Sequence, residues 1–139
     1  MTKNNLKHLG FTLIELLVVI AIIGIVMSIG VANFVTAQKQ ARDSSRQQII
    51  HNIQTAFEQY YASNSSYPSS DPSLAFDNNT LPTDPKNSDE YVINYNFIDA
   101  DSYCVCATLE AAVGNASAPS SSACSWSTSG TNYCAENKQ

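Results

Sequence analysis

The chain has 139 residues, of which 44% are hydrophobic, and its formal net charge at pH 7 is −5. This length suits one small globular domain together with one membrane-length segment. The acidic balance argues against DNA or RNA as the main ligand, because phosphate binding depends on clustered lysine and arginine side chains.

A membrane-length apolar segment follows a short polar leader. The leader, residues 1–10, contains two lysines and ends at Gly10. The segment Leu16–Val35 reaches the roughly 20 apolar residues that cross the hydrocarbon core of a bilayer as a helix. Glu15 is the only charged residue between Phe11 and Gln38, and a carboxylate in such a segment is costly and tends to mark a function or a definite partner. The basic leader predicts a cytoplasmic N-terminus and an external C-terminal domain.

The residues Gly10-Phe11-Thr12-Leu13-Ile14-Glu15, followed by LLVVIAIIG, resemble the N-terminus of type IV prepilins and of type II secretion pseudopilins. The resemblance implies that prepilin peptidase cleaves between Gly10 and Phe11 and methylates the new amino group of Phe11. It also implies that Glu15 sets the register of assembly by facing the Phe11 amine of a neighbouring subunit. Pairing of Glu15 with the amine of its own chain is the alternative.

Three other interpretations of this segment stay open. A secretory signal peptide is one, because Gly30-Val31-Ala32 imitates a small-x-small cleavage site, although apolar signal regions run only about 7–15 residues. An ordinary single-span anchor is the second, and it leaves Glu15 without a purpose. A buried core helix is the third, and a chain of this length could hardly cover it on all sides.

Helical spacing continues beyond the apolar segment. No proline precedes Pro68, and apolar side chains recur at intervals of three or four residues, as in an amphipathic helix. The sequence predicts a helix from about Phe11 to about Tyr61, with a transmembrane or filament-core part at 11–35 and an amphipathic continuation at 36–62. The apolar stripe of the continuation consists of Ile49, Ile53, Ala56, Phe57 and Tyr60.

One basic cluster lies on this continuation. It comprises Lys39, Arg42 and Arg46, with Asp43 among them. We interpret it as a solvated or inter-subunit helix face rather than as a nucleic-acid site. His51 lies off the apolar stripe and is predicted to face solvent.

Two glycines interrupt the apolar segment. Gly24 and Gly30 each weaken a helix by roughly 1 kcal/mol relative to alanine. Their predicted use is helix flexibility: close packing between helices, or local unwinding when subunits leave the lipid. The family often has a proline just before the asparagine that is Asn33 here, and this chain has Ala32 in that place.

Residues 63–139 are predicted to form an extracytoplasmic globular domain with an ordered loop and a small sheet. The helix should stop within residues 62–66, and the loop that follows needs cover for Leu74, Phe76 and Leu81. Alternating patterns at 91–97 and 102–109 predict strands joined by a turn at 99–101. We expect two to four antiparallel strands packed on the helix stripe. These patterns predict the α+β class, and the resemblance implies a type IV pilin-like fold whose long N-terminal helix spans the membrane with its first half.

Four cysteines fall in this domain: Cys104, Cys106, Cys124 and Cys134. An even number in a small extracytoplasmic domain predicts disulfides. Cys104 and Cys106 point to the same face of a strand, where a bond between them would be strained, so each should reach into the tail. The order of pairing stays open. Zinc is the rival interpretation, but the spacing contains no CxxC pair and no nearby histidine. The sequence therefore predicts no metal site and no cofactor.

The resemblance implies a structural pilin that forms a homo-oligomeric filament with the help of prepilin peptidase and a pilus assembly machinery. Its localisation would be the inner membrane as a single-pass protein, and then a surface pilus or periplasmic filament. A pseudopilin of a type II secretion system is the first alternative. The calcium loop of major pseudopilins is not carried over, since Glu136 is the only acid after Glu110. A monomeric membrane-anchored binding module is the second alternative. We find no nucleophile–base pair, phosphate loop or paired acids, and so predict no catalytic residues and no enzyme.

Overall fold

The computed structural model describes residues 10–88, 90–119 and 124–138, with side-chain surroundings left out at 29, 30, 32, 118 and 119. Residues 1–9 of the predicted leader lie outside the described residues. The described residues form one long helix, a short 3-10 helix and five strands. Their bounds are α1 Leu13–Asn64, the 3-10 helix Pro72–Ala75, β1 Ile93–Phe97, β2 Tyr103–Thr108, β3 Gly114–Pro119, β4 Cys124–Gly130 and β5 Asn132–Glu136.

Helix α1 ends where the sequence predicts a stop. Ser65 follows the last helical residue with a left-handed φ of 54°, and its backbone N–H donates to the carbonyl of Tyr61 at 2.8 Å. This single bond closes the last turn as in an αL C-cap. Tyr67 then leaves the helix, and its backbone N–H donates to the carbonyl of Ala100 at 2.8 Å, which ties the exit to the turn between β1 and β2.

The chain divides into two compact units, residues 1–36 and 37–139. In the first unit, the described large apolar side chains between Phe11 and Val35 are exposed. In the second unit, the later part of α1 packs on an antiparallel sheet. The α+β class is confirmed.

The sheet has five strands in the order β1-β2-β5-β3-β4, and all described pairings are antiparallel. β1 and β2 are the two predicted strands. The expectation of two to four strands is wrong, because residues 114–136 supply three more. Their composition of serine, alanine, glycine and asparagine gives no strand pattern, and backbone pairing holds them extended: β5 pairs with β2, and β3 pairs with β5 and β4.

The main core lies between α1 and the sheet. Ile50, Ile53 and Phe57 are fully buried on the helix and contact Tyr103 and Val105 of β2. The buried stripe differs slightly from the predicted one. Ile50, which was not predicted to belong to it, takes the central position, and Ile49 lies at its margin. His51 is exposed, as expected.

The loop before the sheet is partly covered. The ring of Phe76 lies 6.3 Å from that of Phe57 in an edge contact, so this apolar residue reaches the core as predicted. Leu74 does not, since 46% of its surface is exposed. The turn between β1 and β2 is an Asp turn, in which one Asp99 carboxylate oxygen accepts from the Asp101 N–H and the Ser102 hydroxyl.

Candidate functional site

The start of α1 is a capping box formed by Thr12 and Glu15. The Glu15 carboxylate accepts from the Thr12 backbone N–H at 2.9 Å and from its hydroxyl at 2.8 Å. The Glu15 N–H in turn donates to the Thr12 hydroxyl oxygen at 3.3 Å. This reciprocal pair satisfies donors that the first turn of a helix leaves free. The T-x-x-E spacing is visible in the sequence, but the sequence analysis related Glu15 only to an amine.

The residues at the predicted cleavage point lie directly before this cap. Gly10 and Phe11 precede the helix, and 90% of the Phe11 surface is exposed. A peptide bond in an exposed, non-helical position is accessible to a peptidase. The geometry is therefore compatible with cleavage there.

The following turns of α1 present apolar side chains all round. The described large side chains from Leu13 to Val35 are 46% or more exposed, and α1 contains a stretch apolar and long enough to cross a membrane. At about 25 cal/mol per Å² of apolar surface, leaving such a segment in water is strongly unfavourable. Something outside the chain must cover it.

The predicted hinge glycines lie within this part of α1. No side chain or other heavy atom outside the local helix lies within 4 Å of a Cβ placed on Gly24. The surroundings of Gly30 lie outside the described residues. A role of Gly24 and Gly30 in close helix packing or local unwinding remains a prediction.

A buried ion cluster joins α1 to two loops of the second unit. Arg46 is fully buried at its centre. Its guanidinium donates twice to Asp84, at 2.6 and 2.9 Å, and once each to Asp43 and Glu110 at 2.8 Å. Arg42 adds a two-bond pair to Glu110, with both bonds 2.7 Å long.

Asp43 binds the loop that follows β2. Its two carboxylate oxygens accept from the backbone N–H groups of Glu110, Ala111 and Ala112 at 2.8, 2.8 and 2.9 Å. Three backbone donors and one guanidinium group fully satisfy a carboxylate that is 1% exposed. Asp43 thus fixes the connection between β2 and β3 to the side of the helix.

The cluster keeps its members ionised. Burial disfavours the charged guanidinium, but hydrogen bonds to Asp84, Glu110 and Asp43 outweigh it and hold the pKa of Arg46 above its usual value. Burial likewise opposes the charge of Asp43 and Asp84, and their hydrogen bonds still lower both pKa values. The hydrogen bond from Arg42 is the main reason that the pKa of Glu110 falls to about 2.

The interpretation of the basic cluster as a solvated or inter-subunit face is wrong for Arg46 and Asp43. Arg46 lies one helical turn before Ile50 and Asp43 lies two turns before it, on the same buried face of the helix. This face is therefore apolar from Ile50 onwards and charged in the two turns before it. Asp84, the partner of Arg46, lies 38 residues farther along the chain, in the segment between the 3-10 helix and β1. The sequence does contain one indication of this buried pair: Asp43 and Arg46 are spaced i,i+3 and align with the apolar stripe.

The four cysteines form two disulfides side by side. Cys104 is bonded to Cys124 and Cys106 to Cys134, which gives the order that the sequence left open. Both bonds join β2 to the C-terminal strands. Together with Ala116, these cysteines make up a second buried cluster. At about 2–4 kcal/mol each, the bonds fasten strands that bury few apolar side chains.

Comparison with known proteins finds a matching family and several similar chains. Residues 5–31 match the family described as the prokaryotic N-terminal methylation motif. The chain is 33% identical over 66 residues to the type IV major pilin protein PilA of Myxococcus xanthus, covering 48% of this chain and 30% of that protein. It is 35% identical over 98 residues to the type IV wide pilus major component PilA4 of Thermus thermophilus, covering 70% and 71%.

A third relative belongs to a secretion system. The chain is 34% identical over 85 residues to the type II secretion system core protein G of Vibrio cholerae, covering 61% of this chain and 56% of that protein. The chain thus spans less than a third of the Myxococcus protein and just over half of the Vibrio protein, but more than two thirds of the Thermus protein. No solved structure matches the chain.

Proposed function

Because this chain belongs to the type IV pilin family, we propose that it is a structural subunit of a type IV pilus or pilus-like filament. The relatives carry the names of pilus and secretion-system components. The proposal is accordingly a subunit that acts by assembling, and not an enzyme.

The exposed apolar first half of α1 carries this proposal. A helix that is apolar all round needs lipid or other apolar helices as its surroundings, and a filament subunit meets both in turn. Before assembly, residues 11–35 hold the protein in the inner membrane as a single span. In the filament, the same residues pack against copies of themselves, and residues 63–139 form the outer domain.

Processing precedes assembly in this proposal. Prepilin peptidase removes residues 1–10 and methylates Phe11, which leaves the new amine directly before Thr12 of the capping box and four residues before Glu15. Two charges about 4 Å apart attract by about 4 kcal/mol at an effective dielectric near 20. Desolvation cancels much of that gain, so pairing of Glu15 with a Phe11 amine would set register more than it would add stability.

The capping box allows the two roles of Glu15 to be separated. Glu15→Gln keeps the capping geometry, which glutamine also supports, but removes the charge. Glu15→Ala removes both, and Thr12→Ala weakens the cap while keeping the charge. If charge pairing sets register, the glutamine and alanine variants insert into the membrane and fail to assemble, whereas Thr12→Ala assembles. Filaments formed normally by the glutamine variant would refute the register role.

A type II secretion pseudopilin is the second candidate, and the Vibrio relative supports it. The two fates differ in where the protein accumulates. A surface fibre subunit is abundant in material sheared from cells, and a pseudopilin stays in the cell envelope. The two disulfides, and Glu136 as the only acid after Glu110, favour the fibre.

Mass spectrometry of the N-terminal peptide tests the proposal as a whole. Protein purified from membranes or sheared filaments should begin at Phe11 and be heavier by one methyl group. A start at Asn33 would indicate ordinary secretion, and an intact Met1 or Thr2 would indicate a plain anchor. Either of these two results would overturn the filament proposal.

A further inference from the structure

The four cysteine sulfurs lie closer together than two independent disulfides require. All four are within 4.8 Å of one another, and the Sγ atoms of Cys104 and Cys106, which are not bonded to each other, are 3.6 Å apart. The cysteines come from three strands: two from β2, Cys124 from β4 and Cys134 from β5, where it lies directly opposite Cys106. At most 5% of any of them is exposed.

This arrangement is close to that of a tetrahedral metal site. Zinc binds cysteine sulfur at about 2.3 Å, so the sulfurs of a four-cysteine site are separated by about 3.8 Å. The Cys104–Cys106 separation already has that length. If the two disulfide bonds were open, only the bonded pairs would have to move apart. The spacing of the cysteines along the chain does not indicate such a site, because the C-x-C pair and the long intervals to the other cysteines match no common zinc motif.

We propose that, before its disulfides form, the domain binds one Zn²⁺ through the thiolates of Cys104, Cys106, Cys124 and Cys134. Binding replaces four S–H bonds by four Zn–S bonds and releases four protons. Two thiol–disulfide exchanges with an oxidising disulfide then remove four electrons, form the two S–S bonds and release Zn²⁺. Two equivalents of the oxidising disulfide accept the four electrons, take up four protons from solvent and leave as two dithiols. This inference does not rest on the filament proposal.

The packing of the sheet indicates that a bound metal would stabilise the reduced domain. Among the described residues, the buried cluster on the sheet face opposite the helix core consists of the four cysteines and Ala116, so this cluster depends mainly on the cysteines. Zinc binding by cysteine thiolates contributes directly to folding in small domains. The metal would hold β4 and β5 against β2 until the disulfides replace it.

The test uses the full-length protein in non-ionic detergent, fully reduced with a phosphine and freed of metal with a chelator. Co²⁺ is the spectroscopic probe, and Zn²⁺ is then added to displace it. We expect one Co²⁺ per chain, the absorption of tetrahedral cobalt with thiolate charge transfer, and displacement by one Zn²⁺. Zn²⁺ should also raise the unfolding temperature of the reduced protein and leave that of the oxidised protein unchanged.

Two variants sharpen the result. Cys106→Ser removes one ligand and should weaken Zn²⁺ binding at least about tenfold, since metal affinity depends on the full ligand set. His51→Ala is the matched control, because His51 is exposed on the helix, and it should bind as the parent does. The proposal is overturned if the reduced protein stays metal-free, if the cobalt spectrum is octahedral, or if Cys106→Ser binds as tightly as the parent.

Discussion

Replacing Arg46 by methionine should destabilise the second unit severely, because it leaves buried carboxylates without their counter-ion. Methionine keeps most of the apolar stem, so the change isolates the charge. Asp43 retains its three backbone donors and Glu110 retains Arg42. Asp84 loses both of its short bonds to the guanidinium and keeps only backbone donors from the residues after it, at 2.8 and 3.4 Å.

The expected loss of unfolding free energy follows from the partners that each of the three acids keeps. Removing one partner of a buried ion pair costs about 3–5 kcal/mol, and two of the three acids keep other partners, so we expect about 3 kcal/mol. Domains of this kind are stable by about 5–15 kcal/mol, and the loss is a large part of that. Urea unfolding of the full-length protein in non-ionic detergent, followed by the near-ultraviolet circular dichroism of the buried tyrosines, measures it.

Two further variants decide whether charge is the cause. Arg42→Met is the control, because the Arg42 side chain is 31% exposed and its partner Glu110 keeps Arg46, so its loss should be much smaller. Adding Asp84→Asn to Arg46→Met removes the unpaired charge and should restore part of the stability. A loss below about 1 kcal/mol for Arg46→Met, or no recovery in the double variant, would refute the reasoning.

Two other predictions concern acid and strand packing. The pKa of Glu110 falls from 4.5 to about 2 on folding, so its contribution to stability is complete above about pH 4.5 and is lost as the pH falls towards 2. Arg42→Met removes the main cause of that lowering, so the variant should lose less stability than the parent between about pH 4.5 and pH 2, and its loss should be complete at a higher pH; an equal fall in the urea midpoints of the two proteins between pH 7 and pH 2 would contradict this. Gly130→Ala places a methyl group against the backbone carbonyl of Ala116 on β3 and should cost about 2 kcal/mol. Gly24→Ala, with open space at its Cβ, should cost nothing, and equal thermal shifts of the two alanine variants would count against the close approach of β3 and β4.

Several features of the fold could be predicted from the sequence alone. The long helix, its end near Asn64 and the first two strands follow from local patterns: apolar periodicity, an uninterrupted run without proline, and alternation. The apolar segment and the Gly10–Glu15 motif identify the family in the same way. These features depend on residues near one another in the chain, so the sequence alone determines them.

Tertiary structure decided the features that join distant residues. Arg46 is buried because Asp84 and Glu110, from two separate loops, meet it on the helix. The local i,i+3 spacing of Asp43 and Arg46 does not identify these distant partners. The strands of the tail have no apolar alternation, and they are extended because β5 pairs with β2, β3 pairs with β5 and β4, and disulfides join β4 and β5 to β2. The pairing of Cys106 with Cys134, which leaves Cys104 to bond with Cys124, depends on the register of β2 and β5, because that register places Cys134 directly opposite Cys106. In each case, the energy of the arrangement comes from partners that are near only after folding.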